Sequence, residues 1–191
     1  SVTLTFSHQW PQDPEDYVIQ TAIRFADMVE ERSGGAIHID FYPAQSLCKA
    51  KEQFKGMRDG TIDMSVYPVI YAAGEIPELN VVFAPWALGT HDQYYAFGQS
   101  ELWDFLEDKM NDVGVKSLCW IQISGGVAST GSLIREPADL AGRTFRSAGK
   151  TNEWFIKDCG AGTVSMSSSE TYTAMKLGTI DGMLTSSSSY G

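Results

Sequence analysis

A chain of 191 residues has room for one large or two small domains, and its 43% hydrophobic content is ordinary for a globular protein. A formal net charge of −10 argues against nucleic acid as a partner, because phosphates need a basic surface. No apolar run is long enough to cross a membrane, and three widely spaced cysteines, Cys48, Cys119 and Cys159, define no disulfide framework. An anionic ligand would have to bind at a local exception to this negative field.

Ser1 leads directly into an alternating Val2–Ser7 run, so any export signal is expected to have been removed or never to have been present. After this first strand, His8-Gln9-Trp10-Pro11 forms a loop at its carboxyl end. Asp13-Pro14 then supplies an N-cap and first helical residue. Val18, Ala22, Phe25 and Val29 recur at helical spacing until Ser33-Gly34-Gly35. A second strand is predicted over residues 37–42, a second helix over 47–57 closed by Gly60, and a third strand over 62–67. This alternation predicts an α/β fold built on mostly parallel sheets with covering helices.

Residues 68–85 carry chain breakers and aromatics and predict loop with short turns. Ser100 caps a helix whose apolar stripe is Leu102, Phe105, Leu106 and Met110, ending near Gly114. Residues 115–123 predict a buried strand, and Ser124-Gly125-Gly126 a hinge. An internal echo follows: Met57-Arg58-Asp59-Gly60-Thr61-Ile62-Asp63 is matched by Met175-Lys176-Leu177-Gly178-Thr179-Ile180-Asp181. Each copy reads as helix end, glycine stop and strand start, which favours two similarly built lobes. The second copy's helix begins at a capping box, Ser167 with Glu170. Lobe one is expected to span residues 1–123 and lobe two to begin at 124, with residues 124–191 forming its first part and a crossing strand at the end.

Glu136–Asn152 concentrates the functional signal. Pro137 opens a short helical turn that Gly142 closes. A strand over 143–147 then ends in Ser147-Ala148-Gly149 before a helical segment at 152–158. A guanidinium at the carboxyl end of a strand faces the crevice where open α/β folds bind ligands, so Arg146 is a candidate anion anchor; the alternative is a salt bridge to a surface carboxylate. Ser147-Ala148-Gly149-Lys150-Thr151 imitates a phosphate loop but has Thr144 where that motif needs glycine, so no nucleotide cofactor is expected. No Gly-x-Ser-x-Gly elbow is present, and His8, His38 and His91 are isolated from metal ligands. His8 alone lies in a loop where ligands bind. Trp10 and Trp86 occupy loops facing the expected crevice, where they either wall an apolar pocket or serve lid and inter-lobe packing. Trp103 and Trp120 are assigned to the core.

Pro137-Ala138-Asp139-Leu140-Ala141-Gly142-Arg143-Thr144-Phe145-Arg146 resembles the arginine-bearing segment of DctP-type solute-binding proteins of TRAP transporters. Further stretches of similarity, in the family's order, are residues 25–35, 41–47, 59–64 and 179–182. The resemblance implies a two-lobed periplasmic binding protein, not an enzyme, that captures a small organic acid and delivers it to membrane permease subunits. It gives Arg146 the role of gripping the ligand's carboxylate. Gln9 and Trp10 from lobe one, with Ser168 and Thr185 from lobe two, would complete the pocket on closure. A second arginine of many members falls near Gly126, an aromatic at Ser168 and an asparagine at Thr185, so those contacts are lost here. One arginine with Trp10, Tyr67 and Trp86 suits a monocarboxylate with an apolar or aromatic body. Family members continue well past residue 191, which on the resemblance leaves lobe two incomplete. The alternatives are a sensory binding module without a transporter and a hydrolase using His8 and a serine.

Overall fold

The computed structural model describes residues 1–84 and 87–189. The chain is α/β and divides into two compact units, one made of Ser1–Pro68 with Val113–Val115, the other of Val69–Asp112 with the chain from Lys116 onward.

The first unit contains β1 (Val2–His8), α1 (Tyr17–Arg32), β2 (Ile37–Tyr42), α2 (Gln53–Arg58) and β3 (Met64–Val66). Its sheet is wholly parallel in the order β2-β1-β3. Phe6 and Ile39 from the sheet meet Ala22 and Ala26 of α1 in the core, and Val18 and Ile19 of the same helix are also buried. Burying a branched aliphatic of this size contributes about 2 kcal/mol.

The start of α1 is corrected. Asp16, not Asp13, is the N-cap, its Oδ1 accepting the amides of Val18 (2.7 Å) and Ile19 (3.4 Å). Asp13 instead caps a turn by accepting from Glu15 N at 2.8 Å. The second helix is also shorter than predicted, beginning as a 3-10 turn at Ala50. Ala44 and Gln45 stand in left-handed conformation, with φ of 51° and 61°, and Gln45 Oε1 accepts the Ala50 amide at 2.8 Å, so the helix cannot start at 47.

The second unit contains α3 (His91–Phe97), α4 (Glu101–Asp112), β4 (Gly125–Ser129), β5 (Thr144–Ser147), α5 (Lys150–Asp158), β6 (Gly162–Ser165), α6 (Thr171–Lys176) and β7 (Gly182–Ser186). Its sheet runs β4-β7-β5-β6, with β5 parallel to both neighbours and β4 antiparallel to β7. Leu140, Phe145, Ile156 and Ala161 form its core. The helical turn at Pro137–Leu140 and the left-handed Gly142 (φ 74°) stand as predicted. Trp103 and Trp120 pack edge to face with ring centroids 4.4 Å apart.

Residues 115–123 form no strand. A strand exists only through the ladder of a neighbour, and none of the described residues pairs with this stretch. Gly125 and Gly126, read as a hinge, are instead the first residues of β4, opposite Ser186 and Thr185. Helix α3 was not predicted, although its signal was present: Thr90 and Gln93 form a capping box.

The internal echo is physical. In each copy a left-handed glycine, Gly60 (φ 73°) or Gly178 (φ 70°), ends the helix. The amide two residues after the cap closes it, Thr61 N onto Gly56 O and Thr179 N onto Ala174 O, both 2.9 Å. A buried isoleucine follows, Ile62 or Ile180. The aspartate after it then grips the adjoining strand. Asp63 Oδ2 accepts Thr5 N at 2.7 Å, and Asp181 Oδ2 accepts Thr144 N at 2.8 Å. The same seven-residue device thus fixes β1 in one unit and β5 in the other, the two strands whose carboxyl ends carry the candidate site residues.

Candidate functional site

Alternation along β5 sends Phe145 into the core and Arg146 to the opposite face, where the side chain is 2% exposed. The guanidinium donates from Nε to Met166 O (2.9 Å), from one Nη to Leu184 O (2.9 Å) and from the other Nη to Tyr71 Oη (3.0 Å). Three of its five N–H groups are therefore spent, and one remains on each Nη. None of the described carboxylates pairs with it. Burial lowers its pKa, while Tyr71 and Glu170 act in the other direction; arginine starts so far above neutrality that the charge persists. A buried cation held only by neutral acceptors is incomplete, because burying a charge is costly unless it is paired.

Tyr71 was not singled out in the sequence, since its role depends on a partner 75 positions away. Its oxygen also accepts the Ser168 amide at 3.0 Å, so one phenol holds both the anchor and the Ser168 turn. That turn is fixed by the predicted capping box, in which Glu170 Oε2 accepts from Ser167 N (2.8 Å) and Ser167 Oγ (2.6 Å). Thr185 is half-buried in β7, next to the Leu184 carbonyl that holds Arg146. The structure thus gathers Arg146, Ser168 and Thr185. Replacing Tyr71 with phenylalanine is expected to weaken binding of any anion at this guanidinium by about tenfold, read by titration calorimetry, with the far-ultraviolet circular dichroism unchanged.

In the first unit His8 is the last residue of β1 rather than a loop residue, Gln9 and Trp10 follow it, and all three are buried. Tyr67 follows β3, whose Val66 pairs with His8, and its ring stacks on Phe54 at 5.7 Å. These four residues share one end of one sheet. Trp86 lies outside the described residues. The His8 pKa is lowered, foremost by burial, with Gln12, the Trp10 backbone and Asp16 opposing; neither ring nitrogen reaches a partner at full hydrogen-bonding geometry. A histidine that protonates less readily folded than unfolded gives stability that is complete at neutral pH and lost as pH falls through the ordinary histidine range. His8→Gln is expected to flatten the dependence of the melting temperature on pH between 7 and 5, which thermal denaturation would show.

In the phosphate-loop imitation Gly149 lies against Ile70, where an added Cβ would stand 2.5 Å from Ile70 Cγ1. Among the described residues no group of three or more metal-ligating side chains occurs, and no helix is long and apolar enough to cross a membrane.

The family model for bacterial extracellular solute-binding protein, family 7 (DctP), matches residues 6–190. The chain belongs to this family. Family 7 proteins are solute-binding receptors, and the α/β architecture agrees throughout with a solved relative. That relative, a TRAP periplasmic solute-binding protein from Rhodoferax ferrireducens with bound malonate, gives a TM-score of 0.93 at 36% identity, covering 98% of this chain and 60% of its own. A solute-binding protein of Albidiferax ferrireducens is 37% identical over 190 residues, 98% of this chain and 56% of that one. The 2,3-diketo-L-gulonate-binding periplasmic protein of Escherichia coli is 26% identical over 181 residues, 94% of this chain and 55% of that one. The chain spans little more than half the length of these curated relatives.

Proposed function

We propose that this family 7 protein is the periplasmic receptor of a TRAP transporter, capturing a small organic acid and handing it to membrane permease subunits. The observation that carries the reading is Arg146: a buried guanidinium that, among the described residues, donates only to two carbonyls and a phenol, with one N–H left on each Nη. Two parallel N–H groups match the two oxygens of a carboxylate. Ser168 and Thr185 lie beside the anchor, and His8, Gln9, Trp10, Tyr67 and Trp86 are assigned to the ligand's body.

A lobe boundary at residues 123 and 124 would fall just before β4 begins at Gly125, although residues 69–112 and 116–123 group with the second compact unit. Ligand would bind the closed form better than the open one, and that difference in affinity is the signal a permease reads. A non-enzymatic role fits His8, which no serine contacts at hydrogen-bonding distance, so it activates no nucleophile. A sensory receptor without a transporter would use the same anchor.

Thermal denaturation against a set of organic acids and their amides tests the reading. An acid at one hundred times its Kd should stabilise the fold by about 2.7 kcal/mol, while its amide should do nothing. Recovered ligand should be chemically unchanged. Equal stabilisation by acid and amide would overturn the proposal, and conversion of the ligand would replace it with an enzymatic one.

A further inference from the structure

We propose that the β1 end of the first unit recognises an uncharged oxygen of the ligand, a hydroxyl or ketone, rather than a second carboxylate. This rests on the reading that Arg146 takes the ligand's one carboxylate. The starting observation is a set of buried atoms: Nε1 of Trp10 has no hydrogen-bond partner among the described residues, and neither ring nitrogen of His8 meets one at full hydrogen-bonding geometry, Gln12 and the Trp10 backbone being its nearest polar neighbours; His8 is fully buried and Trp10 is 7% exposed. Buried polar groups are ordinarily paired, and one left alone costs about 1–3 kcal/mol.

The neighbouring face of the same strand shows the ordinary case. Ser7 Oγ meets Gln53 Nε2 at 3.5 Å, and Gln53 Oε1 accepts from Ser65 Oγ at 2.7 Å. The buried polar groups of Ser7, Gln53 and Ser65 are thus paired, whereas Nε1 of Trp10 is not and the His8 ring meets no partner at full hydrogen-bonding geometry. The unpaired groups are also held in place. The Ala44 amide donates to Trp10 O at 2.8 Å and the Gln45 amide to His8 O at 3.1 Å, and both donors sit at positive φ. Side-chain residues kept left-handed cost about 1–3 kcal/mol each and persist only where the surroundings over-determine them.

The chemistry of these groups selects the partner. Indole offers one donor, and a neutral imidazole one donor and one acceptor. Together they match a hydroxyl, which gives and takes, or a ketone, which takes. A second carboxylate would bring a charge to loops 8–12, 43–47 and 67–68, none of which contains lysine or arginine. An unpaired buried carboxylate is penalised by several kcal/mol. Asp16, the charged group acting on His8, has the wrong sign to help. Burial keeps His8 neutral at physiological pH, which preserves its acceptor.

The test is titration calorimetry at pH 8 on protein expressed from its complete gene, with two sets of acids of equal carbon number. One set is propionate, lactate, pyruvate and malonate; the other is valerate, 2-hydroxyvalerate, 2-oxovalerate and glutarate. In at least one set an oxygenated monoacid should bind about tenfold or more tighter than the unsubstituted acid and the diacid. Trp10→Phe keeps an aromatic ring but removes the N–H, and should erase this preference by weakening the oxygenated acids more than the unsubstituted one. A diacid that binds tightest and still requires Arg146 would overturn this inference alone, as would an oxygen preference that survives in both Trp10→Phe and His8→Asn. Failure of every acid to bind would overturn it together with the role of Arg146.

Discussion

Arg146→Lys is expected to weaken organic-acid binding by about a hundredfold, with the protein still folded. Lysine keeps the charge but not the geometry. The guanidinium plane directs three N–H groups at Met166 O, Leu184 O and Tyr71 Oη while one N–H on each Nη remains for a ligand. An ammonium has three donors on one nitrogen and cannot fill five directions. Charge-assisted hydrogen bonds contribute about 1.5–3 kcal/mol each, so losing the paired arrangement costs about 3 kcal/mol, or two orders of magnitude in Kd. Calorimetric titration of both proteins decides it. Affinity within a factor of about three would mean that the carboxylate is held elsewhere. Because the substitution also leaves two carbonyls short of a donor, the melting temperature should be measured in parallel. The Tyr71→Phe protein then serves as the comparison in which the charge stays and only its orientation loosens.

The largest effect on stability is expected at Gly182, the first residue of β7. A Cβ there would lie 2.4 Å from Phe145 Cε1 and 2.6 Å from the Ala128 carbonyl oxygen. Phe145 is fully buried in the core and Ala128 is backbone of the adjoining β4, so neither can yield cheaply. Overpacking of this kind costs about 3 kcal/mol, and at about 2–4 °C per kcal/mol for a chain of this size Gly182→Ala should lower the melting temperature by about 10 °C. The same strand carries the Leu184 carbonyl that holds Arg146, so ligand affinity should fall with it. Gly178→Ala is the contrast: φ is 70° but no atom lies within 4 Å of the added carbon, so only the backbone strain of about 1 kcal/mol is incurred. Scanning calorimetry of the two variants should separate a steric clash from a conformational cost, and equal melting temperatures would refute the distinction.

What could be read in the sequence was what depends on near neighbours. The echo at Met57–Asp63 and Met175–Asp181 was legible because a helix stop, a buried isoleucine and a strand-gripping aspartate all lie within seven positions. The Ser167–Glu170 box and the turn at Pro137–Gly142 were legible for the same reason. Arg146 stands out as a candidate because a strand end and a short motif coincide on it. Tyr71 was invisible, since nothing local marks a tyrosine that will hold a guanidinium 75 residues on. The start of α1 turned on a competition between Asp13 and Asp16 that only their side-chain geometry resolves. Residues 115–123 have the composition of a strand, but composition supplies no partner. The unpaired Nε1 of Trp10 was hidden too, because a side chain's lack of a partner is a property of three dimensions.

The central claim is that this receptor holds a small organic acid through Arg146. Native mass spectrometry of freshly purified protein, wild type beside Arg146→Lys, tests it most directly. The account predicts that the wild type carries a mass excess in the small-organic-acid range that disappears on denaturation, and that the variant carries none. The same excess on both proteins, or a ligand that is not an acid, would contradict it.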